Sequence, residues 1–180
     1  MTSEQISYNI VKTKSEVTVA PLILRQIQPK DNPLIARIIR DTLTELDAVK
    51  PGTVYFDTTT DDLYSLFSHP ESHYTVVEID GVVVGGGGIF PTEGLPHGTC
   101  ELVKLYLVPA ARSKGIGKGL ILSCLEHARN MGFNSVYLEA MKEQQHAVGL
   151  YESLGFKYLG APLGQSGHFA CSIWMINTLT

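Results

Sequence analysis

Hydrophobic and polar positions follow strand-like spacing in some stretches of the chain and helix-like spacing in others. Residues 1–20 are polar and aperiodic, and we interpret them as a loose N-terminal arm before one patterned domain at 21–180. The domain opens with a weakly alternating run at 22–28, which is typical of a strand. A helix is predicted next, because Asn32 is a capping residue type, Pro33 suits the first helical position, and isoleucines then recur at helical spacing.

The middle of the chain predicts antiparallel strands. Three runs rich in β-branched and aromatic residues stand at 74–79, 82–90 and 100–108. The first two are separated by Asp80-Gly81, the two-residue signature of a tight hairpin. Four glycines, Gly85 to Gly88, permit a bulge or a close backbone approach in the second strand. A short helix is predicted near 63–67.

Helices and strands alternate in the C-terminal half. Helices are predicted at 115–131 and 144–154, and each ends at a glycine suited to a C-terminal cap. Strands are predicted at 135–140, 156–159 and 169–176, and the glycine-rich loop 160–167 separates the last two. This order predicts an α+β domain with a mixed sheet and helices on both faces.

Length and composition agree with one globular domain, since the chain has 180 residues and 44% of them are hydrophobic. The formal net charge of −4 does not fit the basic face that nucleic-acid binding requires. No apolar run approaches the roughly 20 residues of a membrane helix. The first 20 residues also lack the basic start and apolar core of a secretory signal. We therefore expect a cytoplasmic protein with no nucleic-acid and no membrane partner.

The cysteines do not indicate a metal or disulfide site. Cys100, Cys124 and Cys171 are widely spaced and odd in number, so they form neither a disulfide framework nor a CxxC pattern. We interpret them as buried free thiols in a reducing compartment, and no metal is predicted. A thiol nucleophile is not expected, because no histidine or acid stands beside them in sequence.

The segment from Val108 to Gly119 carries the strongest chemical signal. It lies between a strand and an amphipathic helix, and its glycines let the backbone approach a ligand closely. The free amides of the first helical turn, backed by the helix dipole, favour an anionic phosphate. Arg112 and Lys114 add positive charge, and arginine can bind phosphate with two parallel hydrogen bonds.

Two nucleotide-binding motifs are excluded by spacing. A Walker loop requires glycine where Arg112 stands, and serine or threonine where Gly119 stands. A dinucleotide fingerprint requires glycine or alanine three residues after Gly117, at the place of Leu120.

The remaining pattern resembles the GCN5-related N-acetyltransferase (GNAT) superfamily, whose signature Gln/Arg-x-x-Gly-x-Gly/Ala is present here from Arg112 to Gly117. A second family signature, a helix with a tyrosine that ends in Gly-Phe, is matched from Ala147 to Phe156. The resemblance covers about residues 21–177. It implies an N-acetyltransferase domain with a mostly antiparallel sheet of six to seven strands, splayed at its centre.

The resemblance also implies acetyl-CoA as co-substrate. Pantetheine would pair with backbone groups at the end of the 100–108 strand, and the pyrophosphate would bind the loop amides. The family often has asparagine where this chain has Gln144, which can donate the same bonds from a longer stem. The implied cofactor-binding residues are Leu105, Tyr106, Leu107, Arg112, Ser113, Lys114, Gly115, Ile116, Gly117, Lys118, Gly119, Gln144 and Tyr151.

Direct acetyl transfer to an amine requires a neutral amine and a proton for the leaving thiolate. Glu101 stands where the histone-acetylating branch of the superfamily has its general base, and Glu139 is the alternative base. Tyr151 stands where many members have a general acid near the CoA sulfur. Outside this resemblance, Glu101 would be interpreted as a solvated strand-end acid and Tyr151 as a core tyrosine.

Several other polar residues are weaker candidates for contacts to the acceptor. In a regular strand, Lys104 and Tyr106 would share a face opposite Glu101, although a bulge would reverse that parity. His168 follows the glycine-rich loop, where a lone histidine is more often a surface residue. The remaining candidates are Tyr55, Phe56, His73 and His97.

The leading hypothesis is an N-acetyltransferase for a primary amine of a small molecule, such as an amino acid, a polyamine or an aminoglycoside. Acetylation of a protein lysine or N-terminus is the alternative and requires a more open groove. A non-catalytic CoA-binding regulator on the same fold is the third, disfavoured by the presence of both Glu101 and Tyr151. The oligomeric state is left open, with a homodimer among the options.

Overall fold

The computed structural model describes residues 6–7 and 21–179. The arm predicted at 1–20 lies outside the described residues except for Ile6–Ser7, which forms a short strand. The strands are β1 (Ile6–Ser7), β2 (Pro21–Gln26), β3 (His73–Ile79), β4 (Val82–Phe90), β5 (Thr99–Leu107), β6 (Ser135–Ala140), β7 (Lys157–Tyr158) and β8 (Ile173–Thr178). The helices are α1 (Asn32–Glu45), α2 (Leu63–Leu66), α3 (Ile116–Asn130) and α4 (Gln145–Ser153).

All eight strands form one sheet in the order β1-β2-β3-β4-β5-β6-β8-β7. Every neighbouring pair is antiparallel except β5 and β6, which run parallel because α3 connects them as a crossover. The predicted α+β class with a mixed, mostly antiparallel sheet is therefore confirmed. The described sheet has one strand more than the predicted maximum of seven, and the two-residue β1 accounts for it.

The local turn and cap chemistry differs in one place from the sequence prediction. Asp80 and Gly81 both have positive φ angles, as the predicted tight hairpin requires. Asn32, however, is the first residue of α1 rather than its cap, and its Oδ1 atom accepts a hydrogen bond from the amide of Tyr64. Asn32 thus joins α1 to α2.

The last strand is shorter than predicted. It begins at Ile173 instead of 169, because the preceding residues continue the glycine-rich loop. The amide of Ala170 donates to the carbonyl of Gly52, and that of Ser172 to the carbonyl of Ala140. These bonds draw the loop over the sheet before β8 starts.

Two hydrophobic clusters cover the two faces of the sheet. One packs α3 and α4 against the sheet, with Leu120 and Tyr151 among its buried residues. The other packs α1 against the opposite face, with Ile39 and Tyr74 at its centre. Helices therefore lie on both faces, as predicted.

A β-bulge in β5 changes which face its side chains meet. Gly86 of β4 pairs with Tyr106 and Gly88 pairs with Val103, so two residues of β5, Lys104 and Leu105, oppose the single residue Gly87. Lys104 has a φ angle of 51°, in the left-handed region that a residue other than glycine seldom adopts. A Cβ atom at residue 87 would lie 2.9 Å from Cγ of Leu105, so the close approach of the bulge requires glycine there.

The same strand loses its other neighbour at this point. The pairs between β5 and β6 run from Thr99 with Ser135 to Leu102 with Leu138 and then end. From residue 103 onward β5 remains paired to β4 alone among the described strands. The predicted central splay is therefore present, and it opens where the bulge begins.

Candidate active site

The bulge places Glu101, Lys104 and Tyr106 on one side of β5. In a regular strand, even-numbered and odd-numbered side chains lie on opposite faces. Leu102, Leu105 and Leu107 nevertheless all contact the cluster around α3, so the alternation of faces reverses between residues 102 and 105. Val103 and Tyr106 correspondingly contact the α1 cluster. Of the two alternatives left open by the sequence, a regular strand and a bulged one, β5 is the bulged one.

Two adjoining cavities open beside the splay. The smaller cavity has a volume of about 50 Å³. Its wall contains the end of β5 that is no longer paired to β6, together with Gln144 and Tyr151. The larger, of about 200 Å³, lies toward the segment after α1 and the β4–β5 loop. Both cavities share four residues of their walls: Glu101, Val103, Lys104 and His168.

Glu101 is a buried acid at this shared wall, with 2% of its surface exposed. It is not the solvated strand-end acid that sequence alone would suggest. Burial raises the pKa of Glu101 to about 7, with a further increase from Glu139, while the hydrogen bond from the Thr92 hydroxyl and the charges of His168 and Lys104 oppose the rise. A carboxyl group with a pKa near neutrality suits a general base.

Glu139, the alternative base, lies beside it. One ionisable side-chain atom each of Glu101, Glu139 and His168 lies within 4.8 Å of the other two. Glu139 accepts hydrogen bonds from the Tyr137 hydroxyl (2.8 Å) and from the Ser166 hydroxyl (2.9 Å). Two carboxylates and an imidazole at this spacing could hold a cation or exchange protons, and each already has a hydrogen-bond partner on the protein.

Lys104 is buried rather than extended to solvent, with 7% of its surface exposed. Its Nζ atom lies 2.9 Å from Oδ2 of Asp57 and 3.3 Å from the hydroxyl of Thr60. Burial lowers the pKa of Lys104, and the charge of Asp57 opposes that change. The hydroxyl of Tyr74 donates to the Lys104 carbonyl at 3.0 Å, so the strained residue is held at both its backbone and its side chain.

His168 completes this network. Its Nε2 atom lies 3.0 Å from Oδ2 of Asp57, the same oxygen that Lys104 contacts. The side chain is 14% exposed, so the sequence-based view of a surface histidine is wrong. Asp57 was not singled out by the sequence, because its partners are 47 and 111 residues away along the chain.

Tyr151 lies in the wall of the smaller cavity, on α4. It is almost fully buried, and burial raises the pKa of its hydroxyl above the usual value. The group is therefore protonated at neutral pH, as a proton donor must be. Gln144 lies in the same wall and uses its Oε1 atom to accept the Met141 amide at 2.9 Å, which leaves its NH₂ group as the donor available to a ligand.

The loop before α3 has the local geometry that its glycines predict. Gly115 precedes the helix with a φ angle of 80°, and added Cβ atoms at positions 115 and 119 would meet open space. At Gly117 an added Cβ would touch only Leu150 and Leu107, at ordinary contact distances. These glycines therefore place no side chain of their own over the first turn of α3.

Arg112 is engaged within the protein. Its Nε atom donates to the Leu107 carbonyl at 2.9 Å, and its two terminal nitrogens donate to Glu45 at 2.7 Å and Thr42 at 3.3 Å. The two-pronged phosphate contact predicted for Arg112 would require these bonds to be exchanged. In the present geometry the guanidinium joins the loop to α1.

The weaker acceptor candidates are separated by the fold. Neither cavity has any of Tyr55, Phe56, His73 or His97 in its wall. His73 instead stacks on His127 of α3, with ring centroids 3.6 Å apart. Cys171 does line the smaller cavity, but burial raises the pKa of its thiol to about 12, which keeps it neutral. Cys100 and Cys124 are buried free thiols, as expected, whereas Cys171 is partly exposed.

The glycine-rich loop between β7 and β8 closes one side of the larger cavity. The amide of Gln165 donates to the Glu93 carbonyl at 2.8 Å, and the amide of Leu163 donates to the Tyr137 hydroxyl at 3.1 Å. Together with the bonds of Ser166 and His168, these contacts tie the loop to three separate parts of the chain. The sequence identified the loop but not what it covers.

The described residues thus combine a splayed sheet, a glycine-bearing helix start, and a buried acid and a buried tyrosine in the wall of one cavity. The family model described as "Acetyltransferase (GNAT) family" matches residues 37–156. The uncharacterized N-acetyltransferase YjgM of Escherichia coli (strain K12) is 45% identical over 159 residues, covering 87% of this chain and 95% of the relative. The chain therefore belongs to the GNAT acetyltransferase family, as its two sequence signatures predicted.

Solved structures agree on the fold. An acetyltransferase of the GNAT family from Staphylococcus aureus Mu50 aligns with a TM-score of 0.78 at 13% identity, covering 88% of this chain and 99% of that one. The protein yncA from Salmonella typhimurium, solved with its cofactor acetyl-CoA, aligns with a TM-score of 0.69 at 20% identity, covering 88% and 94%. The family model and the 45% identical relative together identify the chain as an N-acetyltransferase. No helix in the described part of the chain has the length and apolar content to span a membrane.

The ion pair between Asp57 and Lys104 generates a stability prediction. Replacing Asp57 by Asn should lower the free energy of unfolding by about 1–3 kcal/mol, because the buried ammonium of Lys104 loses its counter-charge while Asp57 itself is partly exposed to solvent. Adding Lys104→Met should recover much of that loss, since the charge itself is removed. Denaturant unfolding measures both values. Asp61→Asn, which breaks an exposed pair with Arg40, is the matched control and should change little. A double variant that is no more stable than Asp57→Asn would contradict the view that Asp57 stabilises the fold as the counter-charge of Lys104.

Proposed function

We propose that this enzyme acetylates a small, positively charged amine. The observation that carries the proposal is the larger cavity, which has Glu101 in its wall and is closed on one side by the loop between β7 and β8. Its volume of about 200 Å³ is large enough for a small amine, and the loop beside it limits the approach of a bulkier acceptor. Sequence left the choice between small-molecule and protein acceptors open.

The charges of this cavity favour a cation. Three acidic side chains lie in its wall, those of Asp57, Glu93 and Glu101. Lys104 is the lone lysine there, and it is already paired with Asp57. A cationic acceptor would therefore enter a site whose unpaired charge is negative, which raises both its local concentration and its affinity.

For the co-substrate we propose the arrangement that the family resemblance implies. The backbone of Leu105, Tyr106 and Leu107 has no β6 partner and can pair with pantetheine. The loop before α3 and the first turn of that helix, from Ser113 to Gly119, can hold the pyrophosphate. The reactive end would then lie in the smaller cavity, near Tyr151 and Gln144.

The proposed reaction uses two residues of the chain for proton transfer. Glu101 removes a proton from the ammonium group of the acceptor, and the amine nitrogen forms a bond to the acetyl carbon while the carbon–sulfur bond breaks. Tyr151 gives its hydroxyl proton to the departing sulfur. It then recovers a proton from the attacking nitrogen, which must lose a second proton to become the neutral amide. We favour Glu101 over Glu139 as the base, because only Glu101 lies in the walls of both cavities.

A panel of amines tests the proposed acceptor class. Release of free CoA should be fastest with small primary amines that are cationic at neutral pH. It should be slow with a lysine-containing peptide or a folded protein. An uncharged control of the same length, with a hydroxyl in place of the amine, should release no CoA above background. Faster turnover of the peptide than of every small amine would contradict the proposal.

The pH dependence of turnover tests Glu101. A base with a pKa of about 7 is protonated and inactive below that value, so kcat/KM should rise with pH through about 7. In Glu101→Gln the rate should be lower, and the loss should shrink as pH rises, because more of the amine is then neutral without help. Glu93→Gln is the control, because it removes a different acid from the wall of the larger cavity, one that is exposed rather than buried. A loss that is independent of pH and confined to KM would make Glu101 a binding residue instead.

Tyr151→Phe tests the proposed acid. Only one hydroxyl is lost from a buried ring, so folding and CoA affinity, measured by calorimetry, should be retained. We expect kcat to fall by about 10²-fold, the low end of general acid–base contributions, since a thiolate leaves without great difficulty. Unchanged kcat would reduce Tyr151 to a packing residue.

A further inference from the structure

The proposed reaction releases one proton in every turnover. An ammonium ion and an acetyl thioester become an amide, a thiol and a proton, and that proton must reach solvent before the base can act again. Glu101, the proposed base, has 2% of its surface exposed. Its one hydrogen-bond partner among the described residues is the hydroxyl of Thr92, which donates to it and cannot accept its proton through that contact. A second group is needed to carry the proton outward.

Two titratable groups lie close enough to Glu101 to take its proton. They are Glu139 and His168, each with an ionisable atom within 4.8 Å. Both oxygens of Glu139 already accept hydrogen bonds, from Tyr137 and Ser166. His168 has 14% of its side chain exposed and lies in the walls of both cavities. A separation of up to 4.8 Å can be bridged by one water molecule, which suffices for proton transfer.

Asp57 orients this histidine. Its Oδ2 atom lies 3.0 Å from Nε2 of His168, which fixes the orientation of the ring. Although burial raises the pKa of Asp57, the bond to His168 and the charge of Lys104 lower it to about 2, so this carboxylate stays ionised. A carboxylate that stays ionised stabilises an imidazolium without taking its proton.

We propose that the Asp57–His168 pair carries the substrate's proton from Glu101 to solvent. This inference rests on the proposed role of Glu101 as the base. The proton passes from the amine to a Glu101 oxygen, then through a bridging water to a ring nitrogen of His168, and finally to bulk water. Every protein group returns to its starting state, so atoms and charges balance over the cycle. His168 acts through Glu101 and is a relay residue.

Replacing His168 by Gln is the first test. Glutamine can still donate a hydrogen bond to Asp57 but cannot take a proton at neutral pH. We expect kcat to fall by about 10²-fold with KM for acetyl-CoA unchanged, and added imidazole to restore part of the loss. His97→Gln is the matched control, since His97 is exposed and outside both cavities, and it should behave as the unmodified enzyme. Full activity in His168→Gln, or a loss that imidazole does not relieve, would overturn the proposal.

The double variant Glu101→Gln/His168→Gln is the second test. Two residues that act in series on one proton should give a combined loss no larger than that of the worse single variant. Losses that multiply would show independent roles and overturn the relay.

The two tests separate this proposal from the acceptor class. If no small amine is turned over by the unmodified enzyme, the proposed function has failed before the relay is examined. If amines are turned over and Glu101→Gln is impaired while His168→Gln is not, the relay alone has failed. Thermal unfolding of each variant confirms that folding is retained.

Discussion

The site depends on the extra residue that the bulge inserts into β5. Because Lys104 and Leu105 together oppose one glycine of β4, the side chains beyond them change faces. Glu101, Lys104 and the ring of Tyr106 thereby lie on one side of the strand. The same irregularity turns β5 away from β6, so that from residue 103 onward the edge of β5 that faced β6 has no strand partner in the described sheet, while the other edge stays paired to β4. A regular strand would have removed both the cleft and the gathering of polar residues beside it.

Keeping the bulge requires compensation, because Lys104 adopts a left-handed conformation that costs of order 1 kcal/mol or more for a residue with a side chain. The surrounding structure supplies it through the Tyr74 hydroxyl on the Lys104 carbonyl and the Asp57 carboxylate on its ammonium group. The glycines of β4 supply the space. Asp57 then has a second use, since its Oδ2 atom also holds His168 at the mouth of the site. The Asp57 carboxylate thus both stabilises the strained Lys104 and orders His168 in the wall of the larger cavity.

Much of the fold was predictable because its signals are local. The Asp80-Gly81 hairpin, the glycine before α3 and the glycine after α4 each determine a neighbouring turn or helix end, and the strands and helices appear close to their predicted bounds. Two short motifs were enough to identify the family. Glu101 and Tyr151 were singled out for the same reason, since each has a fixed position relative to a motif, and their catalytic roles remain proposals.

The wall of the larger cavity was not predictable from the sequence, because the contacts that form it join distant parts of the chain. Asp57 lies in a stretch with weak patterning, and nothing near it in sequence indicates that it will contact Lys104 and His168. His168 and Arg112 show the same limit in opposite directions. The histidine is largely shielded from solvent at the site although its loop appeared exposed, and the arginine is bound to α1 although its motif suggested a phosphate ligand. Burial and long-range pairing decide such cases, and neither is visible in local spacing.

The central claim is that the splayed end of β5 is the edge on which acetyl-CoA binds. Amide hydrogen exchange with and without saturating CoA tests it most directly, because backbone pairing slows exchange of the amides involved. We expect peptides that cover 103–107 and 113–119 to exchange more slowly when CoA is bound, while β2, on the far side of the sheet, is unchanged. Saturation binding that leaves 103–107 unprotected would contradict the account.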